Sequence, residues 1–373
     1  MKKESEAFRG EVKVSVLVST YNAESYMAGC LEDLVKQSLF SSGKAEILVV
    51  DCASPEREGD IVRSFQGKYR NISYVRLSER ETLYGAWNVG VQYALGSYLT
   101  NANTDDRHHP EFLATMMNVL EANPAADLAY ANVFRSTKEN ELFDQNDRSI
   151  TYRYKPYFAP DCLLHYQFGC QPMWRRSLHN TLGFFERQLR AAGDYEFNLR
   201  FALEGKRAVH VDEVLGSFLE RPTSLSQSDS TSVAEQGVLR RKYIHSENIL
   251  KLYQHEGFDI HGPWERAAVF HQMSLRALQF EMPWHPGQTF SDPEVAICAI
   301  SSALEIYNGH PTLLNNLAVV LHAVGQLEDA RSILSQIREH EDNEVISRNR
   351  ARCERNIPPR SQLEPCRTFA PAH

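Results

Sequence analysis

Between residues 12 and 134, short apolar runs alternate with amphipathic ones at a spacing that a sheet with crossover helices satisfies. Residues 12–19 are continuous and β-branched, the pattern of a strand buried on both faces. Residues 26–40 then predict a helix with Met27, Cys30, Leu31, Leu34 and Val35 on one side. The pattern repeats with strands over 46–51, 72–77, 98–101 and 128–134. Helices are predicted over 58–69, 83–95 and 111–121, and Gly96 stops the second of these. Such repeats predict an α/β fold with a mostly parallel sheet and right-handed crossovers. Strands that run out near Thr20, Asp51 and Asp105 put polar groups on one rim, where open sheets bind ligands.

The fourth strand leads into Asn103-Thr104-Asp105-Asp106. Adjacent carboxylates repel, and a hard divalent cation on a nucleotide diphosphate is a common relief. Taken alone, the pair reads more readily as a solvated turn with acids at a helix start, and it is the context that follows that turns the reading toward a cation. No Gly-x-Gly-x-x-Gly follows the first strand and no Gly-x-x-x-x-Gly-Lys-Ser/Thr occurs, so dinucleotide and P-loop sites are disfavoured. The net charge of −8 over 373 residues argues against nucleic acid as a partner. The seven cysteines form no Cys-x-x-Cys pair, which fits a reducing compartment, the cytoplasm. The first ten residues have no apolar core of the kind a signal peptide needs. No run approaches the roughly 20 apolar residues of a membrane span, which leaves at most peripheral membrane contact.

Four stretches together carry a resemblance: residues 14–24 (ending Thr20-Tyr21-Asn22-Ala23-Glu24), residues 46–54 (ending Asp51-Cys52-Ala53-Ser54), Asn88-Val89-Gly90 with residues 94–98, and residues 103–106. Over about residues 12–225 the chain resembles a family 2 glycosyltransferase of the GT-A fold. The resemblance implies inverting transfer of a sugar from a nucleotide-diphosphate sugar, a UDP-sugar first among them, with Mg2+ or Mn2+. It implies that Thr20, Tyr21, Asn22 and Glu24 pack on the nucleobase, that Asp51 accepts hydrogen bonds from it, and that Ser54 closes that turn. Asn88, Asn103 and Thr104 fall on donor-binding positions, and Asp105 with Asp106 on the metal-binding ones. Two departures stand out. Asn103 replaces the first acid of the family's Asp-x-Asp motif, and Trp87 replaces the usual arginine before Asn88, for which Arg80 or Arg107 is a substitute.

Helical spacing from Tyr195 to Leu203 puts Asp194 at a helix start. The family's catalytic base falls on Asp194, with Gly193 where Glu is frequent and Glu196 as second candidate. Inverting transfer needs one such carboxylate to take the acceptor's proton. A helix N-cap is the plain alternative. Trp174, Arg175, Arg176, His179, His108 and His109 are weaker candidates and read more readily as structural. Residues 209–219 predict a last strand, and the Ser/Thr-rich residues 221–232 a mobile loop over the site or a linker.

From residue 233 the pattern is helical, with helices expected over 233–255, 264–280, 294–307 and 313–324 and from Gln326. Leu314, Leu317, Ala318, Leu321, Gly325 and Ala330 resemble a tetratricopeptide repeat. About one and a half units are visible, fewer than the three or so an independent solenoid needs. The expectation is therefore a helical appendage, packed on the catalytic domain or used for homo-oligomer formation, in preference to a peptide-binding solenoid. The resulting map is residues 1–11 flexible, 12–230 GT-A domain, 231–345 helical with a TPR-like repeat, and 346–373 a disordered tail. The function expected is metal-dependent sugar transfer to a glycan, lipid-linked or protein acceptor, in polysaccharide biosynthesis. The alternative is a non-catalytic nucleotide-sugar or partner-binding protein built on a degenerate GT-A domain. A nucleotidyltransferase also uses paired carboxylates, but the turn at 20–24 lacks its Gly-rich basic loop.

Overall fold

The computed structural model describes residues 3–4, 11–221, 230–285, 287–338, 343–354 and 363–369. The chain forms two compact units, Met1–Tyr157 with Tyr166–Leu239, and Phe158–His165 with Arg240–His373.

The first unit holds strands β1 (Lys3–Glu4), β2 (Val14–Thr20), β3 (Ala45–Asp51), β4 (Ile72–Arg76), β5 (Tyr98–Asn101), β6 (Arg107–His108), β7 (Leu128–Ser136), β8 (Thr151–Tyr152), β9 (Met173–Arg175) and β10 (Ala208–Leu219). They form one sheet in the order β1-β4-β3-β2-β5-β9-β7-β10-β6, with β8 on β7. Strands β4, β3, β2 and β5 run parallel, as the alternating pattern requires. The short β9 enters antiparallel between β5 and β7, so the sheet is mixed and mostly parallel. Three residues give β9 no period to read, and sequence reasoning passed over it.

Around the sheet lie α1 (Glu24–Val35), α2 (Ser38–Ser41), α3 (Glu58–Gln66), α4 (Leu83–Tyr93), α5 (Phe112–Ala122), α6 (Leu178–Leu182), α7 (Gly193–Leu203) and the start of α8 (Ser230–Tyr243). Every residue of β3 is buried. One face of the sheet places Val14, Val16, Val18, Ile47 and Val49 in a core with Met27, Leu31 and Leu34 of α1 and Met116 and Leu120 of α5. Each such side chain contributes roughly 1.5–3 kcal/mol by leaving water. The helix expected over 26–40 is broken into α1 and α2. The buried Gln37 amide causes the break: it donates to His109 O at 2.9 Å and accepts from Leu113 N at 3.1 Å, which holds residue 37 extended. Gly96 crosses the backbone of β2 so closely that a Cβ there would lie 2.7 Å from Ser15 N.

The second unit is helical, with α9 (Ser246–His255), α10 (Pro263–Leu278), α11 (Pro293–Ile306), α12 (Pro311–Ala323), α13 (Leu327–Ser335) and α14 (Glu344–Glu354). Proline opens α10, α11 and α12, where its missing N–H costs nothing. Ala318 and Ala330 are fully buried where α12 and α13 touch. The single helix expected over 233–255 is two, α8 and α9, because His245 is extended. The tail expected from residue 346 is helical to Glu354. Its residues 363–369 pack against the helices, with Leu363 and Cys366 buried beside Leu314, Ala318, Ile346 and Cys353. A polar segment with two prolines reads as unstructured from composition alone, and here buried partners from other helices order it.

Candidate active site

The carboxyl ends of β2 and β5, the start of α4, the start of α7 and the end of β10 enclose a cleft of about 980 Å³. Of the residues singled out from sequence, Thr20, Tyr21, Asn22, Asn103, Thr104, Asp105 and Asp194 line it. Glu24, Asp51, Ser54, Asn88 and Asp106 do not, and each has a structural reason.

The turn after β2 is held by a residue that sequence reasoning missed. Glu58, wholly buried at the start of α3, accepts through Oε1 from Ala23 N at 2.8 Å, Ser54 Oγ at 2.8 Å and Thr20 Oγ1 at 3.2 Å. Burial alone would raise its pKa. The hydrogen bonds outweigh that and hold the carboxyl below its ordinary range. Asn22 takes a left-handed backbone (φ 52°), which Asn tolerates, and its N–H donates to Ser54 Oγ at 3.0 Å. Ser54 therefore supports the turn from behind. Glu24 accepts from Arg57 N at 3.0 Å and ties the start of α1 to the loop before α3. Asp51 is fully buried, accepting from Ser54 N at 2.8 Å, from Tyr74 Oη at 2.5 Å and from Arg76. Burial and that bond push the Tyr74 hydroxyl up to about 12. In the cleft, the Arg80 guanidinium lies over the Tyr21 ring, 4.2 Å from its centroid.

The acidic turn divides its two carboxylates. Asp106 is buried, accepting from Leu219 N and from Asn103 Nδ2, both at 3.0 Å. Burial and the charge of Asp105 raise its pKa. A metal-facing role for Asp106 does not fit this orientation. Asp105 faces the cleft and meets Arg221 Nη2 at 2.7 Å. Arg221 also donates to Tyr26 Oη at 3.1 Å. Arg221 is thus the cation beside the acid, 116 residues away in sequence. Arg107 is buried and donates to Thr104 O, Asp106 O and Asn140 Oδ1, bracing the turn from inside. Among the described residues no three His, Cys, Asp or Glu side chains cluster as a metal cage. One cleft-facing carboxylate at the turn suits Mg2+ or Mn2+ drawing its remaining ligands from a diphosphate and water.

Across the cleft, Asp194 stands in the first turn of α7. Its Oδ1 accepts from Tyr195 N at 2.8 Å and Tyr84 Oη at 3.0 Å. Burial raises its pKa, and these two bonds offset the shift only in part. The glycine before it has a local cause: a Cβ on Gly193 would lie 2.5 Å from the Tyr84 ring. Glu235 of α8 accepts from the successive N–H groups of Arg190, Ala191 and Ala192 at 2.8, 2.9 and 3.0 Å, fixing the turn that leads into α7. Glu196 pairs with Arg200 at 2.7 Å and is buried, which removes it as a second base. Of the polar segment expected to cover the site, Arg221 and Thr231 line the cleft, while residues 222–229 lie outside the described residues.

An aromatic wall joins the two sides. Trp87, in the place of the family's arginine, meets Tyr84 edge-on at 5.4 Å and Phe185 at 5.3 Å, and Trp174 meets Phe185 at 6.0 Å. Asn88 brackets Phe185, donating to its O at 2.8 Å and accepting from its N at 2.9 Å. Its role is to hold the wall. His179 accepts from Trp174 Nε1 at 3.0 Å and bonds Gly183 O at 2.9 Å, while burial lowers its pKa. His108 pairs with Asp33 at 2.8 Å. Arg175 donates to Ala126 O and Leu120 O, and Arg176 to Ala94 O. None of these four lines the cleft.

Residues 15–183 match the family described as glycosyl transferase family 2. This segment is a family 2 glycosyltransferase domain. The chain is 25% identical over 189 residues to a PGL/p-HBAD biosynthesis glycosyltransferase of Mycobacterium tuberculosis, covering 50% of this chain and 68% of that one. It is 24% identical over 224 residues to the uncharacterized glycosyltransferase EpsJ of Bacillus subtilis, covering 57% and 63%. S. aureus TarS 1-349, solved in complex with UDP, shares the fold with a TM-score of 0.51 at 18% identity, over 86% of this chain and 88% of that one. No described helix is long and apolar enough to cross a membrane.

Proposed function

We propose that this cleft binds a nucleotide-diphosphate sugar, a UDP-sugar first among candidates, and transfers the sugar with inversion to a hydroxyl of a glycan, lipid-linked or protein acceptor. The observation that carries the reading is that Asp105 and Asp194 line one cleft, the first beside a guanidinium and the second with a raised pKa. In a single displacement the acceptor oxygen bonds to the anomeric carbon as the bond to the diphosphate breaks. The acceptor's proton passes to Asp194, whose raised pKa brings it nearer the working range of a general base. Tyr84 and Tyr195 N–H hold that carboxylate in place. Arg221 and Arg80 offer positive charge to the diphosphate, and the Trp87, Tyr84 and Phe185 wall offers a stacking surface to a sugar face. Asp105 would hold Mg2+ or Mn2+, which supplies Lewis-acid charge for the leaving group. All seven cysteines are thiols, which supports a cytoplasmic location.

The Arg221 contact on Asp105 favours a second reading, a metal-independent donor-binding protein, because it sets a cation where the ion would sit. Incubation with a panel of nucleotide-sugars, UDP-sugars first, with and without Mn2+, separates the two. Transfer predicts release of nucleoside diphosphate and its loss in Asp105→Ala. Donor binding without release from any donor, equal with and without metal, would favour the second reading.

A further inference from the structure

Segment 363–369, Leu-Glu-Pro-Cys-Arg-Thr-Phe, is gripped along its main chain by helices α12 and α14 of the second unit. Asn349 of α14 accepts from Glu364 N at 2.9 Å and donates to Glu364 O at 2.6 Å. Asn316 of α12 repeats the arrangement two residues on, accepting from Cys366 N at 2.7 Å and donating to Cys366 O at 2.9 Å. Asn315 links the two, donating to Asn316 Oδ1 and Glu364 O and accepting from Asn349. All three asparagines are fully buried. A side-chain amide that satisfies both polar groups of one residue reads an extended backbone whatever its side chains. Buried amides cost free energy unless paired, and here the main chain of residues 364 and 366 supplies the pairing.

Two side chains add selectivity. Glu364 meets Arg348 at 3.1 Å and Arg352 at 3.2 Å, one helical turn apart on α14. Phe369 stacks on Trp264 of α10, centroids 4.2 Å apart and planes 11° apart, with His310 at 4.8 Å and His271 at 5.5 Å. A helical appendage packed by apolar contact alone needs none of this. We propose that the face made by α10, α12 and α14 is a peptide-binding groove. It takes an extended protein segment bearing an acidic residue and, five positions on, an aromatic ring, and residues 363–369 fill it as an intramolecular ligand. A partner protein carrying such a segment would compete with a tether whose effective concentration is on the order of millimolar.

The test uses the full chain and a labelled peptide of residues 363–369 in reducing buffer. Wild type should bind the peptide at least ten-fold more weakly than the Leu363→Ala/Phe369→Ala chain, whose own segment has lost its two apolar anchors. Adding the peptide should raise the melting temperature of that variant, because a ligand of the native state stabilises it. Binding should fall ten-fold or more when Asn316→Ala is added. The same loss is expected with a peptide whose Phe is Ala, and a loss of about two- to five-fold with one whose Glu is Gln, since its ion pairs are part-exposed; neither comparison needs a further change in the protein. If the double variant neither binds the peptide nor gains stability from it, the segment is ordinary core and the proposal fails. Equal binding of the Phe-to-Ala peptide would overturn the aromatic subsite.

Discussion

The cleft of the first unit and the asparagine-lined groove proposed for the second are both polar, and they are polar in opposite ways. The cleft is lined by ionisable groups at strand ends and helix starts: Asp105 against Arg221, Asp194 against Tyr84, Arg80 over Tyr21. Charge is its working material, and a substrate must bring the complement. The groove is floored by neutral amides, each closing on a main-chain N–H and C=O. Satisfaction of hydrogen bonds is its working material, and it is satisfied already. The difference teaches where mutational cost should fall: on chemistry in the first region, on stability in the second.

The largest expected effect tests the first half of that contrast. Asp194→Asn should lower kcat by 10² to 10⁴-fold, about 3–5 kcal/mol of barrier, while donor affinity and melting temperature stay near wild type. Turnover within two-fold of wild type would remove Asp194 from the base role. Next in size, Asn349→Ala strips the partner from both main-chain groups of Glu364 and should cost about 1–3 kcal/mol in urea unfolding, with transfer unchanged. Unaltered unfolding there would erase the distinction between the regions. The smallest effect sharpens the cleft. The base must be ionised, so kcat/KM falls as pH drops through the raised pKa of Asp194, on an acid limb above the ordinary aspartate value of about 4. Tyr84 donates to that carboxylate and favours its charged form, so Tyr84→Phe should move the limb to higher pH. A shift to lower pH would contradict the assignment.

Sequence periodicity made the sheet legible because long buried strands such as β2 and β3 carry continuous apolar runs. It also brought Asp105 and Asp194 to notice, since both stand at element ends where a fold presents polar groups. It did not separate Asp105 from Asp106, because the separation is made by Leu219 N–H, more than a hundred residues on. Glu58 looked like any acid at a helix start, and only the meeting of two turns shows why it is buried. Gly193 read as a departure from the family's pattern, and its reason is a ring on another helix. Segment 363–369 was read as disordered because its partners sit on helices whose amides point inward, invisible to any local window.

Proline 365 falls between the two residues whose N–H groups the asparagines take, at the one position in that triplet where no amide hydrogen is asked for. Slide the segment by a single place and Pro365 would have to stand before Asn349 or Asn316 with nothing to give. A grip indifferent to side chains would by itself allow sliding. One imino acid works as the tooth of a key, and it fixes which alignment of Glu364 and Phe369 the helices can accept.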